Sequence, residues 1–386
     1  MQYQSSLNKL YYFLLYAIIA LQIPYLPLYF KEAGANGNFI GLISALGPFV
    51  GLFMQPFWGI IADKTQRLKF IIQVLLFSSG VFILLVPLYN NKIWWMLTML
   101  LYTMVQTASM PLTDTLMLSD NQRSREFGKY RLWGSLGFAV IVLITSAFLT
   151  KSNIKFIFPL SSILFFIVWI LSFSLPKTPV VPIKQNISEI YQLIKNPLFI
   201  LLVVYAFIIQ MPFSAYNTFF SIYFSSLGAT TTMVGLAWAL AASSEIPVFY
   251  LFNVLRKSLN LYQILTIAGI IYAVRWFVYA YFPYLWLILL LQLSQGLSFG
   301  LFYLSAIQLL NETTSQEVKA SAQTIFTAIA WSLGAAAGSY SGGIIYTAFG
   351  LFTLFKLSAL LAFLSALTWY VFTVKAKLPL IPTKYR

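Results

Sequence analysis

The sequence predicts an all-α membrane protein with twelve transmembrane helices. Of its 386 residues, 60% are apolar and only 9% are charged, and the mean hydropathy is +0.82. A soluble domain has roughly 45–50% apolar and about 25% charged residues. A helix that crosses a bilayer needs about 20 apolar residues, and twelve such runs are present. They lie near residues 8–30, 38–62, 68–89, 93–118, 129–150, 154–175, 198–224, 231–255, 261–281, 284–308, 318–347 and 351–374.

The runs are interpreted as retained helices. They are too long and too uniformly apolar for the short alternating strands of an outer-membrane barrel. The first run begins at residue 8, exceeds the length of a signal-peptide core and is followed by no small-residue cleavage site. We therefore expect it to remain as helix 1, and we expect no soluble domain.

The positive charge is distributed as in an inner-membrane protein. Although the net charge is +15, the basic residues separate the apolar runs instead of forming one surface suited to nucleic acid. Most fall in loops on one side, whereas Lys31, Lys92, Lys151, Lys155 and, by our assignment, Lys356 fall on the other. By the positive-inside rule, this predicts an integral protein of the bacterial cytoplasmic membrane with cytoplasmic N- and C-termini.

The chain contains neither cysteine nor histidine. This composition excludes disulfides, thiolate or imidazole metal sites, and catalysis that needs a Cys or His nucleophile or base. We therefore expect no enzyme activity, no metal and no cofactor.

The chain also divides into two similar halves. Its longest polar interruption, 176–197, follows six runs and precedes six more. GLISAL at 41–46 and GLAWAL at 235–240 are 194 residues apart, close to half the chain length. The sequence therefore predicts six-helix bundles at 1–175 and 198–386, joined by a cytoplasmic linker. Such parallel repeats with a midplane site are typical of rocker-type secondary transporters.

The loop between helices 2 and 3 carries a recognisable motif, in which Gly59 is followed by Asp63, Lys64, Arg67 and Lys69. It resembles the signature of the major facilitator superfamily at this loop. The resemblance implies a conformational gate, in which the glycine allows close helix approach and the charges pair between bundles. Without the resemblance, the same residues would also fit an ordinary positive-inside loop. The pattern departs from the family at Gln66, which replaces the usual glycine.

The most specific stretch joins helices 4 and 5. Pro-Leu-Thr-Asp at 111–114 and Arg-Leu-Trp-Gly-Ser at 131–135 resemble motifs of the lactose permease and phenylpropionate permease-like branch. The resemblance makes Asp114 and Arg131 the polar anchor of a substrate, with Phe138 beside them as a stacking ring. A guanidinium with a carboxylate suits hydroxyl or carboxylate groups. The alternative is a purely structural ion pair between helices 4 and 5.

The second half contains two further membrane-embedded charges, Glu245 on helix 8 and Arg275 on helix 9. Arg275 resembles the helix-9 arginine of the sugar permeases, which assists proton release. The family's usual histidine and glutamate on helix 10 are replaced here by Gln295 and Ser298. This leaves Glu245, Arg275 and Asp114 as candidates for proton coupling. The alternative is a permanent Glu245–Arg275 bridge.

Polar side chains on helices 1, 4, 7 and 10 are candidate cavity walls, because those helices line the cavity in this superfamily. Singly, each would be ordinary helix–helix hydrogen bonding. They are Gln22, Tyr25, Tyr29, Gln106, Gln210, Tyr216, Asn217, Gln292 and Gln295. Of these, Tyr25, Asn217 and Gln295 are predicted to bind substrate.

The resemblance implies a secondary active transporter with the major facilitator fold. It would move a small polar or amphipathic organic solute, such as a sugar, nucleoside or aromatic acid, by alternating access. We expect proton symport, with the proton gradient as energy source, in a monomer whose partners are the solute, protons and the lipid bilayer. An exporter of drugs or metabolites on the same fold is the alternative.

Overall fold

The computed structural model describes residues 2–119, 121–176, 195–314 and 319–375. Regular structure in these ranges is helical throughout, with no β-strand. The predicted linker at 176–197 lies mostly outside the described residues, as do the last residues of the chain.

The first half forms six long helices in the order predicted. They are α1 (Gln2–Glu32), α2 (Gly37–Thr65), α3 (Leu68–Leu85), α4 (Lys92–Leu118), α5 (Asn121–Phe148) and α6 (Ile157–Ser172). Asparagines start two of them, because the Asn36 side chain accepts a hydrogen bond from the Phe39 amide and Asn91 from the Ile93 amide. Helix α5 begins before the predicted residue 129, since a helix can continue through polar residues past the apolar span.

The second half contains six further long helices. They are α7 (Pro197–Ser226), α8 (Thr231–Leu255), α9 (Leu261–Tyr281), α10 (Leu285–Thr313), α11 (319–349) and α12 (351–370). Gly350, at φ 82°, separates α11 from α12. Only glycine adopts this conformation readily, so it ends one helix and allows the next to begin.

The helices are long and apolar enough to span a membrane. Among the described residues ten stretches meet that description, and one of them, Ser321–Thr373, has 53 residues and covers most of α11 and all of α12. Lys92–Leu118 is a further helix of 27 residues. In a bilayer every backbone N–H and C=O must be paired within the protein, which helices achieve. The prediction of an all-α integral membrane protein is confirmed.

Equivalent helix contacts recur in the two halves. A Cβ added to Gly137 of α5 would lie 2.1 Å from the Phe13 carbonyl oxygen of α1, and one added to Gly334 of α11 would lie 3.1 Å from the Phe207 carbonyl oxygen of α7. Phe13 and Phe207 are 194 residues apart, the same offset as between the GLISAL and GLAWAL segments. Small residues let helix backbones approach closely in membranes, and both halves use them at the same place.

The chain divides into two compact units, Met1–Ile183 with Asn217–Ala239, and Lys184–Tyr216 with Leu240–Arg386. Within the first unit, the beginning of α8 packs on α5, where a Cβ at Gly235 would lie 2.2 Å from the Ser146 Cβ. The predicted domain limits, 1–175 and 198–386, remain a prediction.

Candidate functional site

In the first unit, Asp114 and Arg131 lie together. Asp114 is four residues before the end of α4, and Arg131 is on α5. Asp114 Oδ2 accepts a hydrogen bond from Arg131 Nη1 at 3.3 Å, and the two side chains are 22% and 40% exposed. This pair of opposite charges therefore lies between two spanning helices and remains partly accessible at the protein surface.

Helix α1 supplies aromatic partners that the sequence interpretation missed. The Tyr12 hydroxyl donates to Asp114 Oδ1 at 2.6 Å, and the Arg131 guanidinium lies 5.6 Å from the centroid of the Tyr16 ring. Tyr12 stacks on Tyr130 of α5, which holds its hydroxyl toward Asp114. Tyr12 and Tyr16 are four residues apart and share a helix face, a signal that could have marked them.

Other predicted binding residues of the first unit have packing contacts. Tyr25 is fully buried, and its hydroxyl donates to the Val142 carbonyl at 3.3 Å. Phe138 is 9% exposed, and Asn217 is half-buried. Their roles in binding remain predictions.

In the second unit, Arg275 is the centre of a buried cluster. It is 1% exposed. Its Nε donates to the Tyr279 hydroxyl at 2.9 Å, and its Nη2 donates to the Tyr216 hydroxyl at 3.0 Å and to Gln292 Oε1 at 2.6 Å. Its Nη1 donates to Gln295 Oε1. The Arg275 Cζ atom also lies 4.7 Å from the centroid of the Tyr216 ring. Protein groups therefore provide most of the hydrogen-bond partners that this buried cation needs.

Arg275 orients the two glutamines. Because both amide oxygens accept from the guanidinium, the amide nitrogens point elsewhere. Gln292 Nε2 donates to the Tyr279 hydroxyl at 3.0 Å, and the Gln295 amide lies close to the Glu245 carboxylate. Tyr279 was missed as a site residue, although it stands four residues after Arg275 on the same helix face.

Glu245 is the half-buried end of this network. The described residues show no ion pair between Glu245 and Arg275 within 4 Å, although the positive charge of the guanidinium acts on the carboxylate at longer range. The permanent bridge considered from the sequence is therefore replaced by a chain of contacts, in which Gln295 lies between the acid and the arginine.

A close helix crossing places Glu245 beside Gln295. The Gly296 amide on α10 donates to Ser244 Oγ on α8 at 2.9 Å. Ser244 precedes Glu245, and Gly296 follows Gln295. The crossing therefore fixes the positions of the Glu245 and Gln295 side chains. Gly296 also begins a π-helical segment, Gly296–Gly300, an irregularity that is frequent at functional sites.

We expect Gly296→Ala to destabilise the second unit and to separate Glu245 from Gln295. The added Cβ would lie 2.1 Å from the Ser244 carbonyl oxygen, so the helices must move apart. Overpacking of this kind costs about 1–3 kcal/mol. The melting temperature in detergent measures the effect, and Gly59→Ala, which meets no atom within 4 Å, is the control. Equal melting temperatures for both variants would contradict the close crossing.

The predicted gate residues lie around the end of α2. Gln66, which stands at the position of the family's usual glycine, has the left-handed φ of 54°, a conformation that glycine adopts readily. Lys69 Nζ donates to the carbonyls of Phe173 and Leu175 at 2.7 and 2.6 Å, where a cation suits the end of α6. A Cβ added to Gly59 would meet no atom within 4 Å, and the close helix approach predicted there for the gate remains a prediction. A gating role for Asp63, Lys64, Arg67 and Lys69 remains a prediction.

In the part of the chain that the structure describes, no three acidic side chains are grouped so that they could hold a metal ion. The two membrane-embedded carboxylates have protein partners instead. Tyr12 and Arg131 contact Asp114, and Gln295 contacts Glu245.

Sequence comparison identifies related proteins over most of the chain. The MFS_1 like family matches residues 6–357. A maltose permease of Geobacillus stearothermophilus is 31% identical, over 89% of this chain and 88% of the relative. A probable 3-phenylpropionic acid transporter of Escherichia coli is 26% identical, over 89% of this chain and 91% of the relative. A quinolone resistance protein NorA of Staphylococcus aureus is 27% identical over 55% of this chain and 56% of the relative.

Solved structures share the fold. The nucleoside transporter NupG superimposes with a TM-score of 0.84 at 17% identity, covering 96% of this chain and 99% of that chain. A D-xylose-proton symporter gives a TM-score of 0.76 at 14% identity, covering 95% and 97%. The helices, the membrane-embedded charges and the family match agree: this chain belongs to the MFS_1 like family of major facilitator superfamily transporters.

Proposed function

We propose that the protein is a secondary active transporter that takes up a small polar or amphipathic organic solute together with protons. The solute class is a sugar, a nucleoside or an aromatic acid, moved by alternating access across the bacterial cytoplasmic membrane, with both termini cytoplasmic. The names of the relatives support this class, since they include a maltose permease and a 3-phenylpropionic acid transporter.

The observation that carries the proposal is the partly exposed Asp114–Arg131 pair. Charged residues inside spanning helices are costly, and they usually mark substrate or ion pathways. A fully buried structural pair would be closed to solutes, whereas this one is 22% and 40% exposed. Tyr12 holds one carboxylate oxygen, and the aromatic rings around it suit the apolar face of a sugar, nucleobase or phenyl group.

The second unit supplies the proton site. Arg275 and Gln295 are 1% and 4% exposed, so they act through Glu245 and do not themselves receive the solute. The sequence predicts Gln295 as a substrate ligand, but its amide oxygen accepts a hydrogen bond from Arg275 and its amide group lies close to Glu245. We assign Gln295 and Arg275 positioning roles. Glu245 takes up and releases the proton, and Gln295 keeps it close to the Arg275 cation.

The decisive experiment uses purified protein in liposomes with labelled maltose, uridine, 3-phenylpropionate and D-xylose. We expect at least one probe to accumulate when the outside is made acidic and to stop accumulating when a protonophore is added. Empty liposomes are the control. Accumulation that is unchanged by the protonophore would refute proton symport, and failure of every sugar, nucleoside and aromatic acid tested would refute the solute class.

Export is the second candidate function, favoured by the partial similarity to NorA. A quinolone such as norfloxacin, tested in inside-out vesicles, distinguishes the two. Proton-driven uptake of norfloxacin into such vesicles, with no transport of the four uptake probes, would establish export instead.

Neutralising Asp63, in the last turn of α2, should change the rate of transport without changing solute binding. We expect Asp63→Asn to slow translocation about five- to thirty-fold, since a shift of about 1–2 kcal/mol between conformations has that effect. Its affinity for solute should stay within a few-fold. Glu32→Gln, at the far end of α1 and paired with Lys151 at 3.9 Å, is the control. Complete loss of solute binding in a folded Asp63→Asn variant would show that this end of α2 belongs to the solute-binding site.

A further inference from the structure

A concave groove lies on the second unit, and no residue of the Arg275 cluster lines it. It is a groove of about 470 Å³ along α9 and α12. Its lining is apolar except for one cation. The lining residues are Ala273, Val274, Phe277, Tyr281, Lys356, Leu357, Ala359, Leu360 and Phe363.

Differences in side-chain size create the groove. Ala273 and Ala359, each 6% exposed, form its floor, because a methyl group fills little of the space between the two helices. Larger side chains such as Phe277, Leu360 and Phe363 are 48–52% exposed and form its walls. These helices span the membrane, so the walls meet lipid chains and not water.

Lys356 makes the two ends of the groove chemically different. It stands six residues after Gly350, where α12 begins, and its Nζ lies 4.9 Å from the ring centroid of Tyr281, the last residue of α9. From Lys356 to Phe363 the helix rises about 10 Å. The groove therefore has a cationic end near the membrane surface and an apolar length that runs toward the bilayer interior.

A lysine on a membrane-spanning helix is costly unless its ammonium group reaches the interface or meets an anion. Among the residues that line the groove there is no acidic side chain to neutralise it. The matching ligand carries a negative headgroup and an extended apolar chain. Anionic lipids attract lysine near the membrane surface in this way.

We propose that the groove between α9 and α12 binds an anionic phospholipid, with the headgroup phosphate on Lys356 and one acyl chain along Phe277, Leu360 and Phe363. Tyr281 completes the headgroup end, where aromatic residues are enriched at membrane interfaces.

Native mass spectrometry of the purified protein with dioleoyl phosphatidylglycerol tests the proposal. The wild-type protein should retain this lipid in preference to dioleoyl phosphatidylcholine, and Lys356→Gln should lower retention about five-fold, the effect expected of one lysine near anionic lipid. Lys92→Gln, an exposed lysine at the start of α4, is the matched control and should retain the lipid.

Two further probes separate the headgroup from the chain. Dihexanoyl phosphatidylglycerol, which has the same headgroup on short chains, should be retained less than the dioleoyl lipid, and inorganic phosphate should not displace either. Equal retention of the two dioleoyl lipids, or equal loss in Lys356→Gln and Lys92→Gln, would overturn the proposal and leave only non-specific lipid contact. Because Lys356 is exposed, its replacement leaves the helix packing intact.

Discussion

Replacing Arg131 by lysine is expected to abolish solute binding. Arg131 Nη1 contacts Asp114 Oδ2 at 3.3 Å, and its guanidinium lies over the Tyr16 ring. Lysine keeps the charge but loses the planar group that binds two acceptors at once and stacks on aromatic rings. Breaking such a hydrogen-bonded contact of a charge pair costs about 2–5 kcal/mol, which lowers affinity at least about 30-fold.

Equilibrium binding of the solute identified in the liposome assay measures this loss. Arg256→Lys is the matched control, because Arg256 pairs with Glu312 at 2.7 Å just after α8 and belongs to the second unit, whereas the anchor belongs to the first. Arg131→Lys protein must show the wild-type melting temperature. If that folded variant binds and transports normally, the pair of Arg131 and Asp114 is a structural link between α4 and α5.

Replacing Glu245 by glutamine is expected to separate exchange from accumulation. Glutamine preserves the size of the side chain and can still hydrogen-bond to Gln295, but it cannot gain or lose a proton. A carrier without a titrating group still exchanges solute down its own gradient. The variant should therefore bind solute and perform counterflow at nearly wild-type rates, while losing accumulation driven by a pH difference.

Counterflow and pH-driven uptake are measured on the same liposome preparation. Glu312→Gln provides the control, since it makes the same chemical change in an ion pair with Arg256 that is partly exposed. Accumulation by Glu245→Gln under an imposed pH difference would assign coupling to Asp114 or show that transport is not proton-driven. Loss of binding as well would make Glu245 a solute ligand.

The helices were predictable because apolar length alone specifies them. The predicted runs at 231–255 and 261–281 coincide with α8 and α9 as the structure has them. Polar segments were less informative, as the early start of α5 shows. The length of an apolar run indicates only the part of a helix that lies within the bilayer. The helix itself continues beyond the bilayer wherever its backbone can remain hydrogen-bonded.

The charged residues of the site were also visible in the sequence, but their partners were not. Asp114, Arg131, Glu245 and Arg275 stand out because ionised groups are rare in spanning helices. Tyr12 does not, since the chain contains 24 tyrosines, and its contact with Asp114 joins residues 102 positions apart. Only packing selects one tyrosine from so many.

The sequence by itself determined that this is a helical membrane protein, where its helices run, and which charges its membrane-spanning segments contain. These follow from composition and run length, because a bilayer admits few backbone structures. Tertiary structure alone decided that Gln295 stands between Arg275 and Glu245. That arrangement depends on the close crossing of α8 and α10 at Gly296, a distance between backbones that no local pattern along the chain records.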